Sequence, residues 1–212
     1  MSKVLELFHE IRELLVNGHY PANCQLKDSQ IAEDFDVSRN TAREALSLLT
    51  TAGLVQNFAN RGFFVTSLSE KEIEDIYRVR DIIEIQAIEK FPLSSESSRE
   101  SLFEAFDRAE QSSTSKDWLS YMADSLIVHR RLVATLDSPL LDDFFANIIA
   151  KLRLAFAQAR EPEDFQRPWA EQDRLIYEQL KSGNRKTAQA LMRDYLEDSR
   201  IAVLEILQSR ER

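Results

Sequence analysis

The sequence predicts a mainly α-helical protein in which β-structure is confined to one short hairpin in the first third. From Glu70 onward, apolar residues recur at the three- and four-residue spacing of amphipathic helices, and no run alternates as a strand does. Before that point, two short β-prone runs, Leu54-Val55-Gln56 and Phe63-Phe64-Val65-Thr66, flank a polar loop that contains Gly62. These two observations indicate a small mixed domain followed by an all-helical one.

The length of 212 residues is enough for two separate hydrophobic cores. The polar segment Thr66-Ser67-Leu68-Ser69 follows the predicted hairpin, and Ser69 is a suitable N-cap for the first helix of the second half. We therefore predict a domain over residues 1–66, a linker over 67–69 and an all-helical domain over 70–212.

Composition excludes several classes of protein. The hydrophobic content of 43% and charged content of 30% are ordinary for a soluble domain. No apolar run reaches the ~18 residues that a membrane span needs, and Cys24 is the sole cysteine, which suits a reducing compartment. The four glycines form no phosphate-binding loop. We expect a cytoplasmic protein without a membrane partner or a nucleotide-dependent activity.

The segment from Val37 to Leu49 predicts an amphipathic helix with a polar face suited to DNA. Ser38 can cap its first turn, and the residues that recur on its apolar stripe are Ala42, Ala45, Leu46 and Leu49. The opposite face begins with Arg39, Asn40 and Arg43. Arginine can bond a guanine bidentately and asparagine an adenine, so this pattern indicates a recognition helix.

The flanking segments complete a winged helix-turn-helix. We expect Asp28 to cap a short helix with Ile31 and Ala32 on its inner side, and Asp36-Val37 to form the turn. The predicted hairpin would then be the wing. An ordinary small helical domain with a β-hairpin would show the same periodicity and remains the structural alternative.

The negative net charge weighs against a DNA-binding function, so the position of the basic residues along the chain is important. The chain carries −9 overall, and residues 1–66 contain six basic against eight acidic residues, a net of −2. Between Ser38 and Gly62, however, the segment contains three arginines and only one acidic residue, Glu44. The positive charge is therefore local, and we expect few phosphate contacts per subunit and binding as a dimer.

The spacing of these motifs resembles the GntR family of bacterial transcription regulators. The resemblance runs from Gly18-x-x-Pro21 through Val37-Ser38-Arg39-x-x-x-Arg43-Glu44-Ala45-Leu46 to Asn60-Arg61-Gly62-x-x-Val65. The family usually has Pro-Val where this chain has Thr41-Ala42, and Thr41 could add a phosphate contact. The resemblance and the polar face together give the predicted DNA-contact set: Arg39, Asn40, Thr41, Arg43, Arg61 and Gly62.

The second half predicts a bundle of about six helices. Their expected spans are 73–90, 96–111, 117–136, 140–160, 168–181 and 184–208, with a short separate element near Glu163-Asp164-Phe165 before Pro168.

Several polar side chains fall on the apolar faces of these helices. They are Arg80, Ser125, His129, Asp173 and Tyr195, with Arg153 at the edge of its stripe. Buried ionisable groups are costly unless they are paired or ligated, so their convergence predicts a ligand pocket. Each also has a plain structural interpretation, such as an i,i+4 ion pair between Arg80 and Glu84.

This half resembles the all-helical FCD ligand-binding domain of FadR-like GntR regulators, through Tyr77-Arg78-Val79-Arg80 with Glu84, His129-Arg130-x-Leu132 and Ser138-Pro139-Leu140-Leu141. Many such domains bind a divalent metal through one Asp and three His. Only His129 matches; Ser125, Asp173 and Tyr195 stand at the other three positions. We therefore expect no cofactor and no tightly held metal.

The sequence thus predicts a homodimeric regulator that binds a near-palindromic double-stranded DNA operator and a small effector, an organic acid, in its helical domain. Two other classes stay open. The helical domain could be an enzyme that uses His129 and Asp173 as an acid–base pair, although no nucleophile motif supports this. It could also be a protein-interaction module, which would show no stabilisation by small molecules.

Overall fold

The computed structural model describes residues 2–156 and 162–208. The chain divides into two compact units: the first ends at Leu68 and also includes the end of the seventh α-helix from Ala150, and the second begins at Ser69. The described residues form nine α-helices, one 3-10 helix and three short strands, which confirms the predicted mainly α class. Within the described ranges, no helix is both long and apolar enough to cross a membrane.

The first unit has the order of a winged helix-turn-helix. Its elements are α1 (Lys3–Val16), β1 (Gln25–Leu26), α2 (Asp28–Asp34), α3 (Arg39–Thr51), β2 (Val55–Phe58) and β3 (Gly62–Val65). The strands form an antiparallel sheet in the order β1-β3-β2, and the register pairs Phe58 with Gly62 across the hairpin loop. Strand β1 was not predicted, because two residues are too short to show alternation.

Helix α3 is the centre of this unit, and both α1 and α2 pack against it. Its predicted apolar stripe is fully buried, at Ala42, Ala45, Leu46 and Leu49. The Ser38 hydroxyl accepts a hydrogen bond from the Thr41 backbone N–H at 3.0 Å, so the predicted N-cap is present. The amphipathic pattern therefore fixes which face of α3 remains outside.

Asp28 is not the cap that we predicted for α2. Lys27 occupies the N-cap position without a side-chain bond, and Asp28 is the first helical residue. The Asp28 carboxylate instead accepts from the Arg39 guanidinium at 3.0 Å. Because the helix begins one residue earlier than predicted, Asp28 lies within its first turn, and its carboxylate is free to pair with Arg39.

The second unit is helical throughout its described residues. Its elements are α4 (Glu70–Lys90), a 3-10 turn (Phe91–Leu93), α5 (Glu96–Thr114), α6 (Trp118–Ala134), α7 (Pro139–Phe156), α8 (Pro162–Lys181) and α9 (Arg185–Gln208). Helix α7 is divided between the two units, because its residues from Ala150 onward are grouped with the first unit. The part of our predicted fourth helix over 157–160 lies outside the described residues.

The separate element predicted before Pro168 is wrong, because α8 runs through that proline. Proline removes one helical hydrogen bond and crowds the preceding turn. Packing across the proline opposes this cost: Phe165 lies edge-on to Trp169 at 6.2 Å between ring centroids, and Gln166 and Trp169 are buried. Tertiary contacts thus hold together a helix that the local sequence alone would interrupt.

Four helices of the second unit carry the predicted pocket residues that point into its core. Helix α4 packs against α6 and α9, and α8 packs against the same two helices. Side chains that point inward from α4, α6, α8 and α9 therefore meet in one core.

A capping box fixes the start of α4. The Ser69 hydroxyl accepts from the Glu72 backbone N–H, and the Glu72 carboxylate accepts from the Ser69 backbone N–H at 2.9 Å. Replacing Ser69 by alanine should destabilise the protein by about 1 kcal/mol, because a first-turn N–H loses its acceptor. Urea unfolding followed by circular dichroism measures this change. Ser67→Ala, two residues earlier, is the control, and equal losses in both variants would contradict the capping role.

Candidate functional site

The outer face of α3 and the hairpin form one polar surface in the first unit. Arg39, Asn40 and Arg43 are exposed, and Thr41 is half-buried. A cleft of about 540 Å³ lies between the start of α2, α3 and the hairpin, and its lining includes Arg43 and Gly62. The structure therefore brings two of the predicted contact residues, Arg43 of the helix and Gly62 of the hairpin, to one cleft.

Hydrogen bonds hold three of these side chains. Asn40 donates to Glu44 at 2.8 Å, and the Thr41 hydroxyl bonds the Ser38 hydroxyl at 2.8 Å. Arg39 donates to Asp28. Within the described part of the chain, no hydrogen bond or ion pair holds the Arg43 guanidinium. Arg43 is thus free to bond a base edge or a phosphate without first losing a partner.

The hairpin loop is built around Arg61. Its guanidinium lies over the Phe58 and Phe64 rings, at 5.6 and 5.4 Å from their centroids. Gln25 donates to the Arg61 carbonyl at 2.8 Å. Gly62 has a φ of +86°, which a residue with a side chain rarely adopts. The loop therefore presents a cation that is held by aromatic contacts.

The core of the second unit contains a buried chain of charged groups. Arg80 Nε donates to Glu84 Oε1 at 2.7 Å, and both side chains have no solvent exposure. The other carboxylate oxygen, Glu84 Oε2, lies 2.5 Å from His129 Nδ1. An ionised carboxylate can only accept, so His129 Nδ1 must carry the proton. Glu84 thus links α4 to α6.

Asp173 continues this chain from α8. Its Oδ2 accepts from the hydroxyls of Tyr121 and Ser125, each at 2.7 Å, and its Oδ1 lies 3.8 Å from His129 Nε2. The Tyr195 ring packs against the His129 ring at 4.9 Å between centroids. We call the assembly of Arg80, Glu84, His129 and Asp173, with the hydroxyl partners Tyr121 and Ser125 and the packed Tyr195 ring, the buried polar cluster.

Five of the six predicted pocket residues meet in the buried polar cluster: Arg80, Ser125, His129, Asp173 and Tyr195. Glu84 was predicted only as an ion-pair partner of Arg80, and Tyr121 was not predicted. Helical spacing could have identified Tyr121, because it stands four residues before Ser125 on the same face of α6.

Arg153 does not join the other five. It belongs to the part of α7 that is grouped with the first unit, where its guanidinium lies beside Gly18. Burial lowers the pKa of Arg153. Its position at the edge of the apolar stripe could not reveal that the two ends of α7 belong to different units.

The environment sets the charges of the cluster. Burial alone would raise the pKa of Glu84, but the adjacent Arg80 and His129 outweigh it, and the pKa falls below the ordinary value. Burial also dominates at Asp173, where it raises the pKa against the opposing effects of His129 and the two hydroxyls. Glu84 is therefore the fixed anion of the cluster, and Asp173 is the carboxyl that takes up a proton more readily.

Three nitrogen atoms of the cluster have unused hydrogen-bonding capacity. Arg80 Nη1, Arg80 Nη2 and His129 Nε2 are buried and have no hydrogen-bond partner among the described residues. The cavity beside His129 and Asp173 measures about 20 Å³, which is enough for about one water molecule. Asp173 and Tyr121 also line an open cleft of about 390 Å³ between α5, α6 and α8.

Contacts within the cluster already engage most of the side chains that could ligate a divalent metal. The Ser125 and Tyr121 hydroxyls donate to Asp173, and His129 Nδ1 faces Glu84. Burial raises the pKa of Tyr195 well above its ordinary value, so its hydroxyl keeps its proton. Over residues 2–156 and 162–208, no three histidine, cysteine or acidic side chains come together as metal ligands. A neutral hydroxyl is a poor substitute for the missing imidazoles.

Replacing Glu84 by glutamine should destabilise the protein at pH 7 by about 3–5 kcal/mol, because the Arg80 charge stays buried without a counter-charge. The folded-state pKa of Glu84 is lowered, so its stabilisation is complete above the unfolded pKa of about 4.3 and is lost as the pH falls through the folded value. Urea unfolding at pH 7, 5 and 3.5 should show the deficit shrinking only at the lowest pH.

Glu89→Gln on the same helix is the control, because Glu89 is partly exposed and pairs with Arg185 at 3.4 Å. It should cost less than about 1 kcal/mol at every pH. A Glu84→Gln deficit as small as that of the control would contradict the buried ion pair.

Comparison with known proteins identifies both units. The model of bacterial regulatory proteins of the gntR family matches residues 3–65, and the FCD domain model matches residues 75–198, more than half of the chain. YdhC of Bacillus subtilis (strain 168), named an uncharacterized HTH-type transcriptional regulator, is 33% identical over 85 residues, or 40% of this chain and 38% of that protein. The match thus spans less than two fifths of this relative's length.

Solved structures resemble the chain over nearly all of its length. A protein from Rhodococcus sp. RHA1, described as a GntR transcriptional regulator, has a TM-score of 0.86 at 26% identity and covers 97% of this chain and 99% of its own. E. coli McbR/YncC has a TM-score of 0.82 at 16% identity, with coverage of 97% and 98%, and this likeness concerns the fold. The family and the relatives are transcription regulators rather than enzymes. The chain belongs to the gntR family of bacterial regulatory proteins, and its second unit is an FCD domain.

Proposed function

We propose that this gntR-family regulator binds a near-palindromic operator as a homodimer and responds to a small organic anion held in its FCD domain. Its place of action would be the cytoplasm, where bacterial DNA is found. The observation that carries the proposal is the pair of unsatisfied Arg80 Nη atoms in the core of the second unit.

The polar surface of the first unit supports DNA binding. Arg39 and Arg43 lie on the exposed face of α3, and Arg61 and Gly62 lie in the wing loop. A recognition helix in the major groove places its first residues against the bases. Few basic residues surround this surface, so one subunit would neutralise few phosphates. Two subunits spaced about 34 Å apart would supply the remaining affinity, which requires an operator with two-fold symmetry.

Arg43→Ala tests base reading directly. Because Arg43 has no partner to lose, its removal should weaken binding to the operator by about 1–3 kcal/mol and binding to random DNA by less. Fluorescence anisotropy with an operator selected from a random library gives both affinities. Arg78→Ala, an exposed arginine of the second unit paired with Asp75, should leave both unchanged. Equal losses on the two duplexes would make Arg43 a phosphate contact only.

The buried polar cluster supports an anionic effector. Arg80 has no solvent exposure and bonds Glu84 only through Nε. Its guanidinium lies over the Tyr77 ring, at 5.1 Å from the centroid, and neither Nη atom has a hydrogen-bond acceptor among the described residues. A buried charged donor without a partner is costly, and a carboxylate or phosphate supplies two acceptors in the matching geometry. Asp173 would stand near such a ligand. Burial raises the pKa of Asp173, and the Tyr121 and Ser125 hydroxyls both donate to its Oδ2, so these two donors offset part of its charge toward an anion.

The small volume of the inner cavity explains why a ligand would change the protein. About 20 Å³ admits a water molecule but no organic acid. Arg80 itself has no solvent exposure, so an organic acid that binds it requires the surrounding helices or side chains to move, and a ligand that binds only the opened arrangement shifts the population toward it. The open cleft that shares Asp173 and Tyr121 with the cluster offers a route of entry.

Ligand binding without a metal gives a second test. Citrate and inorganic phosphate should raise the melting temperature of the purified protein, whereas uncharged glucose should not, because only the acids supply oxyanions for Arg80. Arg80→Lys keeps the charge beside Glu84 but loses the planar fork, so it should fold and lose this response.

Elemental analysis of protein purified without chelator should find no stoichiometric metal. A near-stoichiometric metal that is absent from His129→Ala would overturn the metal-free site. A response to citrate and phosphate retained in Arg80→Lys would show that the anion binds elsewhere.

A further inference from the structure

We infer that Asp28 is a specificity-determining residue that acts through Arg39: it fixes the Arg39 guanidinium for one base and repels the backbone of DNA that lacks it. This inference rests on the proposed DNA-binding function. Asp28 would touch no base in this role and is a positioning residue.

The geometry places Asp28 at the DNA-facing surface. Asp28 Oδ1 lies 3.0 Å from Arg39 Nη2, and the side chains are 22% and 71% exposed respectively. Asp28 also lines the 540 Å³ cleft together with Arg43 and Gly62. A more protected carboxylate therefore holds the end of a long, exposed arginine at the first position of the recognition helix.

This pairing leaves most of the Arg39 guanidinium donors available for hydrogen bonds to a base. Arginine has five N–H donors in one plane, and Asp28 engages one terminal nitrogen. A bidentate bond to a guanine requires two donors at a fixed angle. A free arginine side chain loses rotamer freedom when it forms such a bond, and the Asp28 contact removes part of that loss in advance. Holding Arg39 should therefore favour the cognate base.

The charge of Asp28 has the opposite effect on other DNA. A carboxylate on a surface that faces phosphates is repelled, and it also neutralises one of the few cations available to them. On random DNA, where Arg39 finds no matching base, only this penalty remains. The two effects differ in sign between operator and random DNA, and a purely structural role for Asp28 would not produce that difference.

Asparagine is a suitable replacement for Asp28. The Asp28 side chain does not cap α2, because Lys27 occupies the cap position without a side-chain bond. The Asp28→Asn substitution keeps the size of the side chain and removes its charge. Asp34→Asn is the matched control, since it removes one negative charge from the same helix at a residue that bonds Gln30 instead of an arginine.

The experiment measures the dissociation constants of the full-length protein for a selected operator and for a random duplex, by fluorescence anisotropy at one fixed salt concentration. Asp28→Asn should weaken operator binding by about tenfold and strengthen random binding by about twofold. Asp34→Asn should change the two constants by the same small factor. In an Arg39→Ala background, Asp28→Asn should no longer weaken operator binding.

Three results would overturn the inference and leave the proposed function intact. If Asp28→Asn bound both duplexes more tightly by the same factor, Asp28 would only repel phosphate. If Asp28→Asn bound both duplexes more weakly, Asp28 would not act through Arg39. The same conclusion would follow if Asp28→Asn still weakened operator binding in the Arg39→Ala background. If the wild-type protein selects no operator from the library, the proposed function itself fails, and the inference fails with it.

Discussion

The second unit depends on the ion pair between Arg80 and Glu84, which is fully removed from water. Two charges taken out of water are costly to bury, and only good geometry and further hydrogen bonds offset that cost. Here the further bonds come from other helices: His129 reaches Glu84 from α6, and Asp173 faces His129 from α8. The surrounding apolar packing supplies the stability, whereas these contacts specify how the helices face one another.

The same constraint explains how a regulator of this kind could respond to a ligand. The ion pair leaves two Arg80 nitrogen atoms without acceptors, in a core whose inner cavity has room for about one water molecule. An anion that bound Arg80, as proposed, would have to reach atoms without solvent exposure, and its binding energy would then be coupled to a change of conformation. Helix α4, which carries Arg80 and Glu84, is also the first helix after the wing, since it begins at Glu70. A shift of α4 would also displace the end of the linker, residues 67–69, that joins α4 to the wing.

Local patterns predicted the elements well, and long-range contacts account for the failures. The cap at Ser38 and the apolar stripe of α3 depend on residues within a few positions of one another, so they could be predicted from the sequence. Helical faces also identified the inward polar residues of the cluster. The role of Glu84 as a bridge to His129, the continuation of α8 through Pro168 and the grouping of Arg153 with the first unit all depend on residues distant in sequence. No periodicity within one helix contains that information.

Nitrogen NMR of histidine-labelled protein tests the central claim that an ionised Glu84 orders Arg80 and His129. The chain has three histidines, so a His129→Gln spectrum assigns the signal of His129. At pH 7, His129 should carry a proton on Nδ1 in a strong hydrogen bond, and that bond should weaken in Glu84→Gln because a neutral amide oxygen is a weaker acceptor than a carboxylate. A neutral His129 with its proton on Nε2 alone would contradict the account, since Glu84 would then have no donor on that side.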